Sequence, residues 1–225
     1  MKKNKRVIIF GIGETAELAH YYFTQDSTYE VVAFTVSKKY IEELSFLDLP
    51  VIPFEEVKSQ YSPNIYEMFI AVASSNLNRD RTNFYNQAKQ LGYSMASYIS
   101  SHAYVSDRSE IGDNCFILEN NTIQPFVKIK NNVTLWSGNH IGHRSIIHDN
   151  CFLTSQVVIS GFCEIGKNCF LGVNVSVADK VKIGDDCLIG LGSIVGKNIQ
   201  SNTIYKAQYS KKQTLTAKQF YGINE

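Results

Sequence analysis

Three sets of residues in this sequence have the chemistry to act on a substrate. Of five histidines, His20 and His102 stand apart, while His140, His143 and His148 fall in one short run, Asn139-His-Ile-Gly-His143 and on to His148. An imidazole changes protonation near neutrality, so such a run can supply a general base. Five cysteines, Cys115, Cys151, Cys163, Cys169 and Cys187, could ligate a metal or act as nucleophiles. Gly11-Ile-Gly-Glu-Thr-Ala16 follows an apolar run and could bring a phosphate to a helix N-terminus. What each set can do depends on the elements that hold it.

The elements of the C-terminal half are set by a six-residue repeat. Stepping by six from Ile99 through Val105, Ile111 and Ile117 to Val195, every stop is Ile, Leu or Val. That period fits neither a lone helix, near 3.6, nor a heptad, and hexapeptide periodicity is the mark of a parallel β-helix. Two residues before each stop runs a second inward column of small or moderate side chains, from Ala103 and Ser109 to Cys187 and Ser193. All five cysteines fall on it. They are therefore expected to pack as small hydrophobes, not as metal ligands or disulfides, which fits a reducing compartment. Gly112, Gly142, Gly166, Gly184 and Gly190, each just after a stop, suit tight corners.

Three hexapeptides per turn put residues 18 apart in a stack, about 4.8 Å from one another. Counted from the inward Ile141, His143 lies two places on, at a corner, facing outward. His140 and His148 flank inward positions, where a surface or interface role is also open to them. One coil above His143 comes Gly161, then Asp179. A glycine over the base leaves room for a thioester and exposes a backbone N–H, though it also reads as a plain corner residue. A solenoid leaves open ends and flat faces, so self-association is expected.

The first 98 residues alternate differently. Val7–Phe10, Val31–Val36 and Phe69–Ala73 read as buried strands, with helices over Glu14 to about Thr24 and Asn78 to Leu91. This order implies a small α/β domain with a parallel sheet. The dinucleotide fingerprint is incomplete: Ala16 replaces the third Gly, and Thr35-Val-Ser37 has no acidic residue to hold a ribose. Redox dinucleotide chemistry is not expected.

With 22 Lys+Arg against 21 Asp+Glu the 225-residue chain is nearly neutral, which argues against a nucleic-acid partner. Met1–Arg6 has the charge of an export signal, but the apolar run from Val7 to Ile12 is too short for one. No stretch approaches the roughly 18 apolar residues of a membrane span. A cytoplasmic protein without membrane or nucleic-acid partners is the expectation.

A Gly-rich α/β domain followed by an uninterrupted hexapeptide coil resembles the bacterial hexapeptide-repeat sugar acetyltransferases, of the bacillosamine-pathway N-acetyltransferase and sialic-acid O-acetyltransferase type. The resemblance implies a small Rossmann-like parallel sheet (1–98), a left-handed parallel β-helix (99–200) and a C-terminal tail with a short capping helix over Thr216–Tyr221 (201–225). It implies acetyl-CoA as co-substrate, no metal, and a homotrimer. It implies N-acetylation of a nucleotide-linked amino sugar; sialic-acid-type O-acetylation and a non-catalytic scaffold are the alternatives. By the same likeness His143 is the catalytic base and Gly161 an oxyanion donor. Gly161, Gly172, Val173, Gly190, Leu191 and Gly192 lie along acetyl-CoA, and Gly11, Gly13 and Glu14 line the nucleotide site. Lys38 or Lys39 could meet phosphates there, and Lys206, Lys211 and Lys212 the coenzyme. Two departures stand out. The Glu that commonly follows the family's His is Arg144 here, so orientation of His143 falls to Asp149, Glu119 or a backbone carbonyl. Tyr205-Lys-Ala-Gln-Tyr209 replaces the family's Gly-x-Pro-Ala-Lys segment.

Overall fold

The computed structural model describes residues 2–223; Met1, Asn224 and Glu225, the outer ends of the first and last expected segments, lie outside the described residues. The N-terminal domain runs β1 (Lys5–Phe10), α1 (Glu14–Gln25), β2 (Tyr29–Val36), β3 (Ser45–Phe46), β4 (Leu49–Pro53), α2 (Val57–Gln60), β5 (Glu67–Ile70) and α3 (Arg79–Gln90). The sheet order is β3-β4-β2-β1-β5, parallel except for the β3–β4 hairpin. β1 and β2 begin two residues before their expected starts, and β5 sits two to three residues earlier than expected. The β3–β4 hairpin has no counterpart in the sequence reading. Its turn places Leu47 and Asp48 at φ of 49° and 61°, a conformation usually announced by Asn-Gly.

The C-terminal half is a three-sided coil of two-residue strands. The first face runs from Tyr98–Ile99 to Ile204–Tyr205, the second from Tyr104–Val105 to Ile194–Val195, and the third from Glu110–Ile111 to Lys182–Ile183. Parallel pairing joins Thr122 to His140 and His140 to Val158, a register of 18. The inward columns form one continuous apolar core in which all five cysteines are buried and free. Crowding from the next coil requires Gly112, Gly142, Gly166 and Gly184 but not Gly190: a Cβ on Gly142 would lie 2.5 Å from the Ser160 carbonyl carbon, whereas one on Gly190 would meet nothing nearer than 3.3 Å. At the top the register tightens, with Leu188 opposite Ile204 and Ile183 opposite Ile199. The coil thus closes two residues short per turn, beyond the last regular stop at Val195.

The two domains share a core. Phe116 and Leu118 on the first face pack with Phe23, Phe69 and Tyr98, and Trp136 lies against the same cluster. At the corner between third and first faces, Asn114, Asn132, Asn150 and Asn168 adopt positive φ and bond side chain to side chain at 2.7, 2.9 and 3.1 Å, ending on Asp186 at 3.0 Å. The free end of this ladder, Asn114 Oδ1, accepts from the N–H of Ile70 in β5 at 2.8 Å. Arg81 of α3 is only 2% exposed and donates to the carbonyls of Asn132, Asn150 and Cys151. Asn78, just before α3, donates to the carbonyls of Asn168 and Cys169. At the corner between first and second faces, Tyr22 of α1 donates to Glu119, and Asp26 accepts from Tyr98 and Ser101. The N-terminal domain therefore straddles the first face and grips both of its corners. The third corner, between second and third faces, is left open.

Candidate active site

The open corner is where His143 stands. It follows His140–Ile141 on the second face, and its exposed ring turns outward. Gln124, from the coil before, accepts the His143 backbone N–H at 2.9 Å and lies 3.3 Å from Nδ1. With Nδ1–H donating to that amide oxygen, Nε2 carries the free lone pair; the tautomer is assigned from this contact. Phe162 meets the ring edge to face at 5.0 Å. A Cβ built on Gly161 would fall 2.6 Å from His143 Cε1 and 3.0 Å from Nε2, so the imidazole rests directly against the glycine. The Gly161 carbonyl accepts from Lys180, whereas its N–H donates to no acceptor among the described residues. A base and an unengaged backbone donor thus sit side by side, the two groups that acyl transfer needs.

Neither carboxylate expected to orient His143 does so. Glu119 is committed to Ser137 and Tyr22 at the opposite corner, and Asp149 accepts from the Asn131 backbone. The orienting group is Gln124, which the sequence reading did not single out. The signal was present in the register, since position 125 lies one coil before 143 and its neighbour reaches the ring. The other histidines play other parts. His148 Nε2 is 3.0 Å from Glu164, which also pairs with Lys182. These two partners hold the Glu164 carboxyl below its usual range. His140 faces outward between Thr122 and Val158, and His20 packs at a tilt against Phe34.

The expected coenzyme residues divide between two corners. Gly161 is beside His143, while Gly172, Val173, Gly190, Leu191 and Gly192 follow first-face strands and lie at the corner between first and second faces. A single chain does not bring them to His143. They border exposed apolar side chains: Leu191 is 54% exposed, and Ile194 on the second face 80%. Lys206, Lys211 and Lys212 are exposed beyond the last strand, as is every described residue of α4 (Ala217–Phe220). That helix carries a capping box between Thr216 and Gln219 and buries none of its residues.

A second concavity, of about 750 Å³, opens at the C-terminal edge of the N-terminal sheet. Gly11, Gly13 and Glu14 line it together, joined by Lys39, Tyr40 and Asp80. Gly11 has φ of +123°, and a Cβ there would approach the Ala71 carbonyl oxygen to 2.9 Å, so only glycine fits; around Gly13 the space is open. Lys39 lies over the Tyr40 ring at the cavity, whereas Lys38 is engaged with Glu55 and Glu56 outside it. Among the described residues no group of three or more His, Cys, Asp or Glu could hold a metal ion, and no helix is long and apolar enough to cross a membrane.

Comparison with known proteins agrees with this fold. Residues 94–183 match the family described as GMPPB C-terminal domain, and residues 180–202 the hexapeptide repeat of succinyl-transferase. No curated protein matches the sequence. Among solved structures, the acetyltransferase domain of PglB from Neisseria gonorrhoeae in complex with acetyl coenzyme A superposes with a TM-score of 0.80 at 19% identity, covering 91% of this chain and 97% of that one. PerB from Caulobacter crescentus in complex with CoA and GDP-perosamine gives 0.78 at 21% identity, covering 89% and 93%. WeeI from Acinetobacter baumannii gives 0.69 at 15%, covering 89% and 96%. The chain therefore carries a hexapeptide-repeat domain and shares its two-domain fold, a small α/β domain and a left-handed parallel β-helix, with these proteins.

Proposed function

We propose that the chain is an acetyl-CoA-dependent sugar N-acetyltransferase that acts on the amino group of a nucleotide-linked amino sugar. The observation that carries this reading is the pairing at the open corner: His143 with Nε2 free, against a Gly161 N–H that has no hydrogen-bond acceptor among the described residues. In this scheme His143 Nε2 takes the proton as the sugar nitrogen forms its bond to the thioester carbonyl carbon. Gly161 N–H stabilises the developing oxyanion. Collapse breaks the carbon–sulfur bond, and the leaving thiolate recovers the proton from His143, giving an amide and free coenzyme A. The PerB relative binds CoA together with GDP-perosamine, which supports the substrate class. The orienting amide of Gln124 favours an amine over a hydroxyl acceptor. A neutral amide fixes the ring but lacks a carboxylate's charge, and an unprotonated amine needs less help from a base.

Geometry also favours an oligomer, and we propose the trimer. The cavity lined by Gly11, Gly13 and Glu14 belongs to the domain seated on the first face, and His143 is at the corner opposite that face. An acceptor held by one subunit would reach His143 of a neighbour. Gly172, Val173, Gly190, Leu191 and Gly192, one corner away, would line the coenzyme from across the same interface. Acetyl-CoA and a nucleotide-linked sugar as substrates support a cytoplasmic site for the reaction, which is part of the same proposal. The test is coenzyme A release from acetyl-CoA with nucleotide-linked amino sugars and, separately, their hydroxyl counterparts. Release with the amines alone is expected; release only with hydroxyl sugars would make this an O-acetyltransferase, and none with either would leave a binding scaffold.

A further inference from the structure

The three corners of the coil are not alike. Two place Asn, Gly, Gln or Asp at the left-handed position that ends each turn: Asn120, Gly138, Gln156 and Asn174 on one, Asn132, Asn150, Asn168 and Asp186 on the other. Gly, Asn and Asp adopt positive φ with little penalty, and Gln156 is the one exception among these eight. The corner that bears His143 instead uses Phe126, Arg144, Phe162 and Lys180, at φ of 65°, 60°, 57° and 61°. Large side chains held in a disfavoured conformation, and confined to one corner, point to a role for what they present.

They present an exposed column of alternating rings and cations. Phe126 is sandwiched, with the Arg108 guanidinium carbon 5.9 Å and that of Arg144 4.6 Å from its ring centroid. Lys180 is engaged with Asp179. Arg144 has no carboxylate and no side-chain hydrogen bond among the described residues, so its guanidinium rests over the Phe126 ring with its N–H groups free. A planar fork seated on an aromatic ring suits a bidentate oxyanion. It stands one residue from the base, where the family resemblance leads one to look for Glu.

We propose that Arg144 is a binding residue for the diphosphate of the acceptor, holding it so that the sugar amine reaches Nε2 of His143 in the same corner. The inference rests on the nucleotide-sugar reading above and adds the residue that anchors the acceptor at the catalytic end. The ring column gives the guanidinium a platform.

The test uses the full chain and three probes titrated separately by calorimetry: GDP, UDP and coenzyme A. Arg144→Gln is expected to weaken whichever nucleoside diphosphate the wild type binds by about tenfold or more, the range for a lost hydrogen bond to a charged group, while leaving coenzyme A within about twofold. In turnover the acceptor KM rises and kcat changes little. Unchanged nucleoside diphosphate binding overturns the inference and leaves the acetyltransferase reading standing. Weakened coenzyme A binding alone overturns it by assigning the fork to the coenzyme. Dissociation of the oligomer by Arg144→Gln overturns it too, because the corner would then be a subunit contact. If neither GDP nor UDP binds the wild type, the inference and the nucleotide-sugar reading fall together.

Discussion

His143, the proposed base, illustrates how much of a residue's setting comes from its neighbours in adjacent coils. The ring is exposed, so its tautomer depends on one contact, Nδ1 to Gln124 at 3.3 Å. Its position depends on the missing side chain of Gly161, since any Cβ there would displace it. Counting by 18 located the glycine from sequence alone. Gln124 was missed because an amide lies outside the usual search for carboxylates near a histidine. Replacing that amide by a carboxylate provides a pH test. In Gln124→Glu the new negative charge stabilises the imidazolium, so the base form appears only at higher pH. The acidic limb of the kcat/KM profile should move up by about one unit or more. A limb that stays in place would mean that Gln124 does not contact the working tautomer.

At the scale of elements, the coil was legible and its attachment was not. The aliphatic stops and the small column are inward-facing by chemistry alone, and they assigned the five buried cysteines correctly. The Asn residues at the corners read simply as turn formers, yet those between third and first faces form a ladder that ends on the β5 backbone. Nothing in the sequence of the expected Asn78 to Leu91 helix sets Arg81 apart from a solvated cation. It is instead buried, and burial pulls its guanidinium down to about 10 despite the neighbouring thiols of Cys151 and Cys115. Its partners are carbonyls, with Phe152 stacked at 5.5 Å. Arg81→Met would leave those carbonyls without this donor. It should cost about 2–4 kcal/mol in urea unfolding, from the roughly 1–3 kcal/mol of each buried group left unpaired. A loss under about 1 kcal/mol would show that water or backbone replaces Arg81 easily.

For the whole molecule, function follows from where the domains are joined. The N-terminal domain grips two corners of the coil and leaves the third, with His143, open, which is where the proposed trimer would bring a neighbour. Part of that grip is acid-sensitive. Burial by itself would raise the Glu119 carboxyl, but hydrogen bonds from Ser137 and Tyr22 outweigh it and hold it below its ordinary 4.5. The folded form therefore binds fewer protons than the unfolded form in that range. The contribution is complete above about pH 4.5 and is lost as pH falls through the lowered value. Melting temperature should drop between about pH 5 and 3, and drop less steeply in Glu119→Gln; parallel curves would place the acid sensitivity elsewhere. The central claim is that His143 removes the proton from the acceptor. Coenzyme A release with a nucleotide-linked amino sugar, compared between wild type and His143→Ala of equal melting temperature and oligomeric state, tests it most directly. The account predicts a fall in turnover of about 10²–10⁴-fold; a fall of less than about tenfold would contradict it.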